Sequence, residues 1–188
     1  MEVIPDIIQL QAGDEEAFRQ LVKTYQQMVY NTCLGILQQE LDAEDLTQEV
    51  FVTIFQHIKK FKAGSALATW IYRITVNKCM ELIRYKRRRK RFSAVIRWLG
   101  GSSEEVVDFV HPGVRLQNKE LATHLHRAMT RLPVKQQLAF VLNKIEGLSY
   151  QEVGDILGLS VSSVESLLVR AKKKLQTILE TFYDEFQQ

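Results

Sequence analysis

Residues 84–91 read RYKRRRKR, and seven of these eight side chains are cationic. Such a run attracts polyanions, and each backbone phosphate it neutralises releases a counterion. It continues a helical pattern that carries Trp70, Ile71, Ile74, Met80, Leu82 and Ile83. Like charges at helical spacing repel one another, so a helix that keeps them is suited to meeting a polyanion. Contacts of this kind give affinity and placement, not sequence choice. A second group offers hydrogen bonds to base edges. In LSYQEVGDILGLSVSSVESLLVRAKKKL, residues 148–175, the base-facing candidates are Ser162, Ser163, Glu165, Ser166, Val169 and Arg170. Ser160 and Lys173 complete that set. Catalytic chemistry is not expected. There is no phosphate-cradling glycine loop and no HExxH motif, and the acidic residues sit mostly at caps and exposed positions. His124 and His126 are two apart, on different helix faces, and make a poor metal pair. No metal, cofactor or small-molecule substrate is expected.

The elements that must position these groups are helices. In residues 148–175, Ser149 and Glu152 have capping-box spacing. Val153 and Leu157 mark an apolar face, and Gly154 leaves room for another helix to approach. Gly158 suits the left-handed conformation that ends a helix, and Leu159 plugs the turn. Ser160 or Ser162 caps a second helix, whose inner stripe is Val164, Leu167 or Leu168, Ala171 and Leu175. Its other face carries Arg170, Lys172, Lys173 and Lys174. This is a helix-turn-helix pattern, in which the start of the second helix meets base edges. Upstream, Leu121, Leu125, Met129 and Leu132 define one helix. Pro133 starts the next, with Leu138, Val141, Leu142 and Ile145 as its core face and Gly147 as its end.

The N-terminal half has the same character. Asp14 is placed to cap a helix in which Phe18, Leu21, Val22, Tyr25, Met28, Val29 and Cys33 recur at helical spacing. Asp42 is placed to cap the next, with Leu46, Val50, Ile54 and Ile58 on one stripe. On that helix Asp45, Gln48 and Glu49 share the opposite face. After a break at residues 62–65, a third helix is expected from about Leu67 to Arg91. Arg73 and Asn77, four apart, share one of its faces. Trp70 is assigned to the core by its apolar neighbours, whereas Tyr72 is open to packing or to stacking.

The expected fold is all-α: two small helical domains joined by a flexible linker, the second containing the helix-turn-helix. The N-terminal domain is placed at residues 1–91, the linker at 92–116 and the C-terminal domain at 117–188. Gly100, Gly101 and Pro112, with polar neighbours, mark the linker. Three prolines and nine glycines in 188 residues favour helix, and a hydrophobic fraction of 46% suffices for real cores. The net charge of +3 is modest, so its distribution matters more than its sum. Cys33 and Cys79 are far apart and form no CxxC pair, which points to buried thiols. The acidic start, interrupted by Pro5, does not read as a signal peptide, and no apolar run is long enough to span a bilayer. A cytoplasmic protein without membrane insertion is expected.

Three separated segments together resemble the extracytoplasmic-function (ECF) group of bacterial RNA polymerase sigma factors. DAEDLTQEVF, residues 42–51, resembles the helix by which such factors grip the polymerase clamp, which implies that role for Asp45, Gln48 and Glu49. LATWIYRITVNKCMELIRYKRRRK, residues 67–90, resembles the segment that melts and reads the −10 element. The resemblance implies a base pocket in the loop from Phe61 to Ala66, and −10 contacts by Lys62, Thr69, Arg73, Asn77, Arg84, Lys86, Arg87, Arg88 and Arg89. Residues 132–175 resemble the domain that reads the −35 element. Many relatives carry basic residues where this chain has Glu165 and Leu167. Glu165 is left with two roles, accepting a hydrogen bond from cytosine or forming an intramolecular pair.

The resemblance implies three partners: core RNA polymerase, promoter DNA and an anti-sigma factor, of a kind often membrane-anchored. The alternative is a stand-alone dimeric helix-turn-helix transcriptional regulator, which leaves RYKRRRKR and DAEDLTQEVF without a task.

Overall fold

The computed structural model describes residues 6–62, 66–98, 125 and 127–186. Asp6 caps a short helix, α1 (Ile7–Ala12), by accepting the Ile8 amide at 2.9 Å. Gly13, at φ +86°, ends it. Asp14 then caps α2 (Glu15–Leu37) through the Ala17 amide at 2.7 Å, and Glu15 and Glu16 complement the helix dipole in its first turn. Gln38 closes α2 in the left-handed conformation.

Helix α3 (Glu40–His57) begins before the expected cap. Asp42 lies inside its first turn and pairs with Lys86 instead of capping. Gln39 occupies the cap position without a side-chain bond to the helix. A 3₁₀ turn (Ile58–Lys60) follows. Helix α4 (Leu67–Trp98) starts where expected and runs past Arg91 without a break. The remainder of the expected linker, the loop residues 63–65, and Leu121, His124 and His126 lie outside the described residues.

In the C-terminal half Pro133 serves as the N-cap of α5 (Val134–Phe140). This helix widens into a π-turn (Val141–Ile145) before Gly147 reverses the chain at φ +74°. The Asn143 amide donates to the Leu148 carbonyl at 2.7 Å and closes that turn. The widening corrects one expectation: Ile145 is 48% exposed rather than core, whereas Leu138, Val141 and Leu142 are buried. Helix α6 (Tyr150–Leu157) carries the capping box in full, with Ser149 accepting the Glu152 amide and Glu152 accepting the Ser149 amide. Gly158, at φ +66°, makes the turn into α7 (Val161–Phe186). Ser160 caps α7 by accepting the Ser163 amide. Among the described residues there are helices and turns and no strand.

Leu21, Val29 and Cys33 of α2, Val50 and Ile54 of α3, and Ile71 and Cys79 of α4 are fully buried together. The two cysteines are free, with the Cys79 thiol donating to the Cys33 sulfur at 3.9 Å. That contact, and then burial, push the Cys79 thiol well above its usual range. A second group, Met129, Leu142, Val153, Val164 and Ala171, is equally buried and joins the first in one continuous core.

Gly154 answers a closer constraint than helix approach. A Cβ there would lie 2.7 Å from the Leu159 carbonyl oxygen of the turn. Alanine gains about 1 kcal/mol in helix propensity, but overpacking against a backbone atom costs about 1–3 kcal/mol. Gly154→Ala is therefore expected to lower the urea midpoint of unfolding, and an unchanged or raised midpoint would refute the tight turn.

Candidate nucleic-acid interface

The structure gathers the expected site residues on three helices. On α3, Asp45, Gln48 and Glu49 are all exposed, and Glu49 lies 4.0 Å from Lys78 of α4. Leu41, Val52 and Phe55 are exposed beside them. Leu41, Asp45, Gln48, Val52 and Phe55 follow the alternating four- and three-residue spacing of a helix–helix seam. Sequence reading missed the apolar members, although that spacing is visible outside the Leu46, Val50, Ile54 stripe. The Phe55 ring meets Phe18 edge-on at 5.1 Å, which fixes one end of the row.

Along α4, Arg73, Asn77 and Arg84 form one exposed line. Arg87, Arg88 and Arg89 extend the exposed charge beyond it. Lys86 points elsewhere: it pairs with Asp42 and donates to Gln39 at 2.9 Å, bracing α4 against α3. Lys62 is exposed at the end of the 3₁₀ turn, and Thr69 is half-buried near the start of α4. Trp70 is half-buried against Phe61, with ring centroids 5.2 Å apart. Tyr72 is buried and packs rather than stacks.

Ser160 at the cap of α7, and Ser162, Ser163, Glu165, Ser166, Val169, Arg170 and Lys173 on it, are all exposed, and Leu168 points into the core. The Ser160 hydroxyl lies 3.1 Å from Ser162 and 2.8 Å from Ser163. No group of three or more metal-ligating side chains is found among the described residues. Nor is any helix among them long and apolar enough to cross a membrane. What these surfaces offer is charge and hydrogen bonds at helix faces.

Comparison with known proteins bears on what they meet. Residues 21–89 match the Sigma-70 region 2 family and residues 123–175 match Sigma-70, region 4. The ECF RNA polymerase sigma factor SigW of Bacillus subtilis is 31% identical over 173 residues, 90% of this chain and 92% of SigW. The chain is an ECF sigma factor. The ECF RNA polymerase sigma-E factor of Escherichia coli is 30% identical, with 88% of each chain aligned. Among solved structures, CnrH in complex with the cytosolic domain of CnrY is similar at a TM-score of 0.68 and 25% identity, covering 93% of this chain and 95% of CnrH. RpoE of Bartonella quintana, solved with the anti-sigma factor NepR, shares the fold at a TM-score of 0.65 and 24% identity, covering 87% of this chain and 96% of RpoE. A sigma factor directs RNA polymerase to promoters. A dimeric regulator would account for α6 and α7 but not for the region 2 match.

In this sigma factor the two domains touch. The Gln137 amide donates to the Ile36 carbonyl at 2.9 Å, and Val141 lies where a Cβ on Gly35 would come within 2.9 Å. The Tyr72 hydroxyl donates to Glu146 at 3.1 Å, and Arg73 Nε donates to the Asp155 carbonyl at 2.9 Å. Asn77 lines a cleft of about 260 Å³ with Met80, Leu138, Ile156 and Leu159. The Arg73–Asn77 face of α4 is thus turned onto α6, whereas the outer face of α7 stays open.

Burial raises the Glu146 carboxyl above the ordinary carboxylate range, with the Tyr72 hydrogen bond opposing. The closed form therefore holds its proton more tightly than an opened form in which Glu146 is solvated. Closure strengthens as pH falls into the window just above the ordinary range and weakens as pH rises through it. Energy transfer between dyes on the two domains is expected to increase on acidification, and Glu146→Gln is expected to flatten that change. Identical pH profiles for the two proteins would remove Glu146 from the seam.

Proposed function

We propose that the three exposed helix faces divide promoter recognition among them. The α3 row, with Asp45, Gln48 and Glu49 between Leu41 and Phe55, grips a basic helical surface on core RNA polymerase. The α4 line, with Lys62 and Thr69 at its approach and Arg73, Asn77 and Arg84 along it, binds the opened −10 element. Arg87, Arg88 and Arg89 hold phosphates, while Lys86 fixes the direction of α4. The α7 face reads the −35 element in the major groove, through Ser160, Ser162, Ser163, Glu165, Ser166, Val169, Arg170 and Lys173. The domain division expected from sequence, residues 1–91 and 117–188 with a connector between, is kept with one change: α4 carries the first domain on to Trp98. The protein acts in the cytoplasm as a specificity subunit without chemistry of its own, so it needs no cofactor.

The observation that carries this reading is the order of the two family matches, each holding one exposed nucleic-acid-type face. Contact between the domains supports a further element. Such a seam presents both domains at once to one inhibitor, and CnrH was solved with the cytosolic domain of CnrY. An anti-sigma protein is the partner that fits.

The salt dependence of promoter binding by the holoenzyme tests the cationic run. Each phosphate contact adds about 0.9 to the log–log slope, so replacing Arg87, Arg88 and Arg89 by alanine is expected to weaken binding and flatten the slope. An unchanged slope would remove the run from the DNA. Reversing charge at Asp45 and Glu49 is expected to weaken association with core polymerase, measured by competition with the wild-type chain. Equal competition would remove α3 from that interface.

A further inference from the structure

The outer ridge of α7 has a composition unlike the rest of its exposed face. Val161 is 41% exposed and Val169 is 63% exposed, and Glu165 stands midway between them, four residues from each. Large apolar side chains left in water on a groove-reading helix call for apolar partners. A carboxylate on the same ridge calls for a donor, because DNA phosphates repel it. The helix supplies no charged donor. Side chains three and four residues from Glu165 are Val161, Ser162, Leu168 and Val169, so no cation is within helical reach. Among the described residues Glu165 enters no ion pair. An intramolecular pair, one of its two expected roles, is therefore not formed there.

The base edges of the major groove narrow the choice. An ionised carboxylate only accepts hydrogen bonds. Guanine presents two acceptors there, and thymine an acceptor beside a methyl group. Adenine pairs its amino donor with an acceptor, which a carboxylate opposes but a carboxamide matches. Cytosine alone presents a donor without an acceptor beside it. Thymine alone presents a methyl group, to which apolar side chains pack.

Given the upstream-element role proposed above for α7, on which this rests, we infer that Glu165 selects a cytosine and that Val161 and Val169 pack on flanking thymine methyl groups. Glu165 then works as much by exclusion as by attraction, since a wrong base leaves its carboxylate unpaired against an acceptor. Lys172 and Lys174, also exposed, hold the flanking phosphates.

Selection with the holoenzyme from a promoter library randomised across the upstream element tests this, with association to core polymerase measured alongside. The wild-type protein is expected to enrich cytosine at one position with thymine beside it, by about tenfold over the other bases. Glu165→Gln is expected to move that preference to adenine at the same position. Replacing the neighbouring thymine by deoxyuridine removes only the methyl group. It is expected to weaken wild-type binding about fourfold, the effect of one buried methyl group, and to leave Val169→Ala binding unchanged. The same base distribution from wild type and Glu165→Gln would overturn the inference, and so would a Glu165→Gln protein that loses core polymerase instead of changing base preference. Failure of the wild-type chain to associate with core polymerase would overturn the promoter role itself, and is read separately from either.

Discussion

Positive charge crowded along one helix raises its energy unless anions meet it, and α4 is crowded from Arg84 onward. Among the described residues, Lys86 with Asp42 is the only ion pair that this run makes. The first half of α4 can carry that load because it is bound into the core. Ile71, Thr75 and Cys79 are fully buried against α2 and α3, and the Thr75 hydroxyl donates to the Ile71 carbonyl at 2.9 Å. With 32 residues the helix is about 48 Å long. Its packed half acts as a mount for the charged stretch, which Lys86 ties to Asp42 of α3. Among the described residues no other anion neutralises the run, and its surface suits a polyanion from outside.

The contact between the domains has a different character. Its hydrogen bonds join Gln137, Tyr72 and Arg73 to backbone carbonyls and one carboxylate, and the apolar part turns on the close approach of Val141 to Gly35. Contacts of this mixed kind within a chain ordinarily permit domain motion. The seam ties Arg73 to the Asp155 carbonyl of α6, although Arg73 and Asn77 stay exposed, and it leaves α7 outward. In this form Arg73 is engaged within the chain while the outer face of α7 is not, so freeing Arg73 requires that part of the seam to open.

Local chemistry was legible in the sequence and distant chemistry was not. The α2 cap at Asp14, the Ser149–Glu152 box and the left-handed Gly158 are contacts within four residues, and spacing alone identifies them. The start of α3 was misplaced because Asp42 is drawn to Lys86, forty-four residues away, and no local pattern carries that competition. Ile145 was assigned to the core on a period of 3.6, which the π-turn breaks. Gly154 was read as room for a neighbouring helix, and Val164 of α7 does lie 3.9 Å from where its Cβ would be, but the tighter contact is the Leu159 carbonyl of its own turn. The exposed faces of α3, α4 and α7 followed from periodicity, since residues opposite a buried stripe must face out. Tyr72 and Glu146 meet only because two domains pack, and neither residue announces the other.

The most direct measurement is run-off transcription by purified core RNA polymerase on genomic fragments, with and without this chain, with start sites mapped. Discrete starts that appear only when the chain is added, downstream of a shared pair of sequence elements at fixed spacing, are expected. Initiation that is the same in its presence and absence would contradict the promoter-directing role on which the rest depends.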